Sequence, residues 1–250
     1  MSPFVAEFVG TFLLVLFGNG VVANVALAKT KGHGSGWIVI TAGWGLAVFI
    51  GAFSSAEYSE AHLNPAVTIA NLVAGRQEVL EGLQYMAAQL LGGIVGGATV
   101  FLFYREHFFV TEDADAKLAC FCTAPNIRKM PQSALCEFIG TFALVLPIFL
   151  MANPELSATP ESASYTIGLG SIGLLPVALL VFGIGLSLGG TTGYAINPAR
   201  DLGPRIAHFL LPVPGKRDSD WGYSWVPVLG PLAGGATAAV VHGLLVAADI

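Results

Sequence analysis

The chain has 250 residues, of which 54% are hydrophobic and only 11% charged, with 31 glycines and a formal net charge of −5. A soluble domain carries about 25% charged residues, so this composition excludes an ordinary water-facing globule and points to lipid. The charges form no acidic or basic block, which excludes nucleic-acid binding of the clustered-basic type.

In chain order, Phe8–Ala28 contains no Asp, Glu, Lys or Arg, and neither do Trp37–Ala56 or Gly82–Tyr104. About 20 apolar residues cross the hydrocarbon core, so each predicts a membrane helix. No basic segment precedes the first, which is therefore expected as a retained helix and not a cleaved leader. Ser133–Ala152 predicts a fourth span, and the uncharged stretch Ser162–Ala199 is too long for one helix. It is expected to hold a fifth span over Gly170–Ser187 followed by non-helical backbone, and Trp221–Ala248 supplies the sixth. Two apolar pieces, Asn64–Gly75 and Asn197–Leu211, are too short to cross. Each starts Asn-Pro, where Asn caps and Pro takes the first helical position.

The two halves repeat each other. Glu7-Phe8-Val9-Gly10-Thr11-Phe12 returns 130 residues later as Glu137-Phe138-Ile139-Gly140-Thr141-Phe142, and Asn64-Pro65-Ala66 returns 133 residues later as Asn197-Pro198-Ala199. One Asn-Pro pair is an ordinary helix start; two, each opening a half-length helix in matching repeats, point to a transport site where the repeats meet. The expected fold is an all-α membrane protein with six transmembrane helices, two re-entrant half-helices and an inverted internal repeat. Its halves are residues 1–110 and 130–250, joined by a loop over 111–129. Gly92-x-x-x-Gly96, Gly93-x-x-x-Gly97 and Gly230-x-x-x-Gly234 predict close helix packing.

Half-helices meeting N-terminus to N-terminus bring two positive dipole ends and their unpaired N–H groups together. Asn64 and Asn197 would offer amide donors there, and a cation or a proton hopping along water would be repelled from both sides. Cys120, Cys122 and Cys136 have no metal-ligand spacing and read as structural thiols, with no metal site. No phosphate-binding Gly-rich loop implies a nucleotide or other cofactor. A membrane enzyme using Glu57, Glu60 and His62 would leave the paired motifs unexplained.

With these motifs the chain resembles the aquaporin family over essentially its full length, and more narrowly its aquaglyceroporin branch, the bacterial glycerol facilitators. The resemblance implies a passive channel for glycerol and similar small neutral polyols, also permeable to water and closed to protons and ions. The alternatives are a water-selective channel or a conduit for urea, lactic acid or metalloid hydroxides. It implies a homotetramer in a plasma or inner membrane, with Asn64, Pro65, Ala66, Asn197, Pro198 and Ala199 at the pore centre. The selectivity filter falls on Trp44, Gly185, Tyr194 and Arg200. Trp44 and Tyr194 would form an apolar corner, Arg200 the hydroxyl side, and Gly185 would leave open the room that His fills in water-selective members. Tyr194 stands where facilitators commonly carry Phe. An ordinary structural role for Arg200 would be an ion pair, with Asp201 nearest. Backbone carbonyls of Glu60, Ala61, His62, Gly193, Tyr194 and Ala195 would form an acceptor ladder, with Glu60 adding a charge near one mouth. Glu7 and Glu137 would anchor the two loops, and Asp201, Arg205 and Pro227 mark the branch. Family orientation puts the termini in the cytoplasm, leaving Arg76 as the one inner-loop cation. The positive-inside rule prefers the inverse.

Overall fold

The computed structural model describes residues 1–152, 155–156, 165–166 and 168–248. Its elements are α1 Pro3–Ala26, α2 Trp37–Ser59, α3 Pro65–Val73, α4 Val79–Phe103, α5 Arg105–Val110, α6 Ala114–Ala119, α7 Met130–Leu150, α8 Leu175–Ser187, α9 Pro198–Leu210 and α10 Val226–Ala247. A 3-10 turn, Gly170–Leu174, runs into α8, and together with it makes the fifth of six helices long and apolar enough to cross a membrane. The fold is all-α as expected; beside the helices, Glu155–Leu156 and Tyr165–Thr166 pair as two-residue antiparallel strands. The sixth span also starts later than Trp221. Pro227 favours a helix start at this point, and Trp221–Trp225 form turns after Asp220, whose φ is +53°.

Polarity runs inside out. Leu80, Leu102, Phe103, Leu179 and Leu244 are each more than half exposed. Glu7, Gln89, Asp201, Arg205 and His208 are fully buried. An apolar exterior of this extent suits hydrocarbon, and the buried polar groups must then satisfy one another.

The repeated Glu-Phe-x-Gly-Thr-Phe segment does the same three things in each half. Its Glu accepts backbone N–H groups from the loop ahead of the half-helix: His62 and Leu63 for Glu7, Ala195 and Ile196 for Glu137. Its Gly, one turn on, makes room for the residue before the motif Asn. A Cβ at Gly10 would lie 2.5 Å from Leu63 Cδ2, and one at Gly140 would lie 3.0 Å from Ile196 Cγ2. Its Phe and Thr meet a glycine of a neighbouring span: a Cβ at Gly92 would sit 2.5 Å from the Phe8 carbonyl oxygen, and one at Gly234 would sit 2.3 Å from that of Phe138. The small-residue rows on α4 are therefore real contact faces. Gly92 and Gly96 face α1, while Gly93 and Gly97 face Ala199 and Pro204 of α9.

The short helices exchange partners between the halves. α9 packs on α4, and α3 packs on α10, where a Cβ at Gly235 would lie 2.5 Å from the Ala66 carbonyl oxygen. α3 has 9 residues, a length of about 14 Å, and cannot cross a bilayer core of about 30 Å.

Candidate functional site: a cavity between two asparagine-capped helices

A cavity of about 320 Å³ runs through the middle of the bundle, bordered by α1, α2, α7, α8 and the loops that lead into α3 and α9. At its centre the two half-helix N-termini meet. Asn64 and Asn197 both adopt φ −154°, the extended conformation of an N-cap. The Asn64 side-chain oxygen accepts from the Ala66 amide at 2.9 Å, and that of Asn197 accepts from Ala199 and Arg200 at 3.0 and 3.1 Å. Capping fixes the orientation of each amide. The Asn64 NH₂ group donates to the Ile196 carbonyl and the Asn197 NH₂ group to the Leu63 carbonyl, both at 2.8 Å. An amide nitrogen has two hydrogens. One closes this reciprocal cross-link, and the second has no partner among the described residues.

Leu63 and Ile196 were invisible as site residues in the sequence. Their carbonyls turn toward the opposite Asn because both have positive φ, +51° and +43°. Ile is β-branched, so this conformation is costly for it and must be held from outside. Glu7 and Glu137 hold it. Glu7 Oε1 accepts from Ser59 Oγ at 2.7 Å and the His62 amide at 2.9 Å, while Oε2 accepts from the Leu63 amide and Gln89 Nε2, both at 2.7 Å. Glu137 accepts from the Ala195 and Ile196 amides at 3.0 and 2.8 Å.

Glu60, Ala61, His62, Tyr194 and Ala195 line the cavity, but Gly193 stands behind it against Thr123. Glu60 is exposed at one mouth. His62 is tied on both ring nitrogens, to Thr68 Oγ1 at 3.1 Å and to Asn71 Nδ2 at 3.3 Å. Neither nitrogen is free for acid–base work with Glu57 or Glu60.

The two arginines of α9 have opposite circumstances. Arg205 is fully buried and spends all five N–H donors: on Asp201 Oδ1 through Nε and Nη2 at 2.9 and 2.8 Å, on the Thr123 carbonyl at 3.0 Å, and on the Ser219 and Asp220 carbonyls at 2.8 and 3.1 Å. The second Asp201 oxygen accepts from the Thr123 amide and hydroxyl. Asp201 thus pairs with Arg205, four residues on, and not with its neighbour Arg200. Arg200 lines the cavity, yet its guanidinium has no hydrogen-bond or ion-pair partner among the described residues, and its Nη1 is buried. Its Cζ lies 3.9 Å above the Trp44 ring. Cation–π stacking gives it some compensation, but an unpaired buried charge still costs several kcal/mol.

Trp44 and Tyr194 both line the cavity, and the Trp44 ring carries the Arg200 guanidinium on its face. The indole lies flat on α1 because residue 18 is glycine: a Cβ there would be 2.2 Å from Trp44 Cζ3. The space beside Gly185 is not open, because Thr41 and Tyr194 fill it: a Cβ on Gly185 would lie 2.8 Å from Thr41 Cγ2 and 2.9 Å from Tyr194 Cζ. Pro227 is buried in the first turn of α10 and does not border the cavity.

The cysteines are free. Cys120 and Cys122 are buried in the loop after α6, and burial pushes both thiols up, away from the reactive thiolate. Among the described residues no cluster of His, Cys, Asp and Glu could hold a metal ion.

Six apolar spans around a largely apolar cavity, with two cross-linked helix caps and one arginine as polar groups along it, define an integral, multi-pass membrane channel and not an enzyme. The major intrinsic protein family model matches residues 1–242, and the chain belongs to that family. It is 49% identical over 239 residues to glycerol uptake facilitator protein 3 of Lactiplantibacillus plantarum, covering 96% of this chain and 95% of the relative. It is 48% identical over 244 residues to the glycerol uptake facilitator protein of Streptococcus pneumoniae, covering 98% and 99%. Among solved structures it is similar to the aquaglyceroporin from Plasmodium falciparum, with a TM-score of 0.81, 30% identity and coverage of 98% and 96% of the two chains.

Proposed function

We propose that the chain is a passive channel for glycerol and similar small neutral polyols, that water also passes, and that protons and ions are excluded. The observation that carries this reading is Arg200, a buried guanidinium without a protein partner, stacked on Trp44 in the cavity that holds Asn64 and Asn197. A channel must replace a solute's hydration without gripping it. Arg200 supplies donors to hydroxyl oxygens, the Asn64 and Asn197 amides supply two more further along, and the carbonyls of Glu60, Ala61, His62, Tyr194 and Ala195 accept the hydroxyl hydrogens. The flank of Trp44 receives the carbon chain. A cation meets the Arg200 charge and two helix N-termini, and water at the centre is turned with its oxygen toward both asparagines. The names of the bacterial relatives favour glycerol over a strictly water-selective channel.

In this reading residues 1–110 and 130–250 are the inverted repeats, joined by 111–129. α3 and α9 are re-entrant half-helices, Glu7 and Glu137 their loop anchors, and the assembly is a homotetramer with one pore per subunit. The contacts shared by the two Glu-Phe-x-Gly-Thr-Phe segments support the repeat.

The test is light scattering from proteoliposomes shocked first with sucrose and then with glycerol. Rapid shrinkage in sucrose and fast re-swelling in glycerol are expected; shrinkage without faster glycerol entry than in empty liposomes refutes glycerol conduction. Arg200→Ala should widen the range of solutes that enter, and an unchanged profile would remove Arg200 from the constriction.

A further inference from the structure

A second cavity, also of about 320 Å³, opens beside the mouth where Glu60 stands, and the two cavities share Glu60, His62, Asn71 and Arg76. Its charge is one-sided. Glu57 comes from the last turn of α2, Glu60 from the cap that follows it at φ +61°, and Glu81 from the first turn of α4. None of these three carboxylates makes an ion pair among the described residues, although Arg76 lines the same cavity. Arg76 is turned onto Phe149 instead, with Cζ 4.3 Å from the ring centroid. The buried part of the wall is Tyr85, only 5% exposed, whose ring stands edge-on against His62 with centroids 5.1 Å apart. His62 is itself tied at both ring nitrogens, which fixes the phenol in place. No described residue completes hydrogen-bond geometry with the Tyr85 hydroxyl, and Glu81, one turn earlier on α4, is the acid beside it.

The geometry points to a binding site for a short alkyl diammonium cation. The three carboxylates and the phenol oxygen all accept hydrogen bonds, and the summed field of the carboxylates draws cations in. A metal ion would need its oxygens gathered within about 2.6 Å of one point. Among the described residues no group of His, Cys, Asp and Glu is gathered in that way. Acids spread around a cavity of this size suit two positive ends separated by a carbon chain. One ammonium meets Glu81 and the Tyr85 hydroxyl, the other meets Glu57 and Glu60, and the chain lies along Pro3 and Tyr58. Each ammonium brings three N–H donors, and its bonds to carboxylates are charge-assisted. The site does not depend on which solute the channel conducts.

The test is calorimetric titration of the whole detergent-solubilised protein with putrescine at constant ionic strength. Saturable binding is expected, with the uncharged butanediol of the same chain length at least about tenfold weaker. The double variant Glu57→Gln, Glu81→Gln should weaken putrescine about tenfold, and Tyr85→Phe, which keeps the ring on His62, about fivefold. Glu78→Gln removes an exposed charge from the same face but outside the cavity, and should change the affinity less than about twofold. Each variant is titrated as a monodisperse elution peak, which separates loss of binding from loss of fold. Absence of saturable binding to wild type overturns the inference. So does butanediol binding as tightly as putrescine, an equal loss in Glu78→Gln, or full affinity in either cavity variant.

Discussion

Glu7→Gln is the substitution whose cost can be worked most directly. The carboxylate accepts four hydrogen bonds, two on each oxygen, from Ser59 Oγ, the His62 amide, the Leu63 amide and Gln89 Nε2. A glutamine keeps one oxygen and turns an NH₂ group toward the other pair of donors. The cheaper orientation faces Ser59, whose hydroxyl can rotate to the Ser55 carbonyl at 3.4 Å. The His62 amide then has no acceptor and confronts a second donor. A stranded buried donor costs about 1–3 kcal/mol, and losing the charge from the remaining bonds adds about 1 kcal/mol. Relief from burying a charge offsets part of this. The net expectation is destabilisation by about 2–4 kcal/mol. It is read as earlier thermal loss of the monodisperse peak of detergent-solubilised protein, with the exposed Glu57→Gln as the control, expected within about 0.5 kcal/mol of wild type. Protein that does fold should keep its glycerol-to-water ratio. A variant as stable as wild type, or a well-folded one that no longer conducts, would show that Glu7 does not act by holding the loop.

Two further substitutions probe the constriction and the outer loops. Gly18→Ala places a methyl group 2.2 Å from the Trp44 ring, and overpacking of this kind costs about 1–3 kcal/mol or drives the ring away. Because Arg200 stacks on that ring, glycerol and water flux should fall together; wild-type flux would mean that Trp44 does not border the conducting path. Asp220 lies outside the spans, and its hydrogen-bonded pair with Arg128 holds its carboxyl below the ordinary 3.8. A lowered native value means the pair contributes fully above pH of about 4 and fades as pH falls through the native value. Asp220→Asn should therefore lower stability at neutral pH and shrink the difference from wild type in acid unfolding below that point; parallel curves at all pH values would refute the linkage.

The spans and the two short helices were legible because their signals are local: runs without charge, and Asn-Pro at a helix start. Boundaries were close, with α3 and α9 each ending near the expected residue. The repeated Glu was legible as a burial anomaly. Its neighbours Gly10 and Gly140 had no meaning until Leu63 and Ile196 were seen packed on them, because those contacts join residues more than fifty positions apart. The roles of Arg200 and Arg205 could not be divided from sequence, since Arg205 is saturated by Thr123, Ser219 and Asp220 from two distant loops. Gly185 misled for the same reason. Whether a glycine opens space depends on what grows into it, and here Thr41 and Tyr194 do.

The exchange of short helices between halves also bears on biosynthesis. A ribosome delivers α3 long before α10, the helix whose Gly235 lets Ala66 approach. Until the loop ahead of α9 is also in place, the Leu63 carbonyl has no Asn197 to receive and the Asn64 amide has no Ile196 carbonyl. The N-terminal half must therefore wait as an open-sided intermediate, and a nascent chain arrested before Ile196 should expose Asn64 to water-soluble probes that the finished protein excludes.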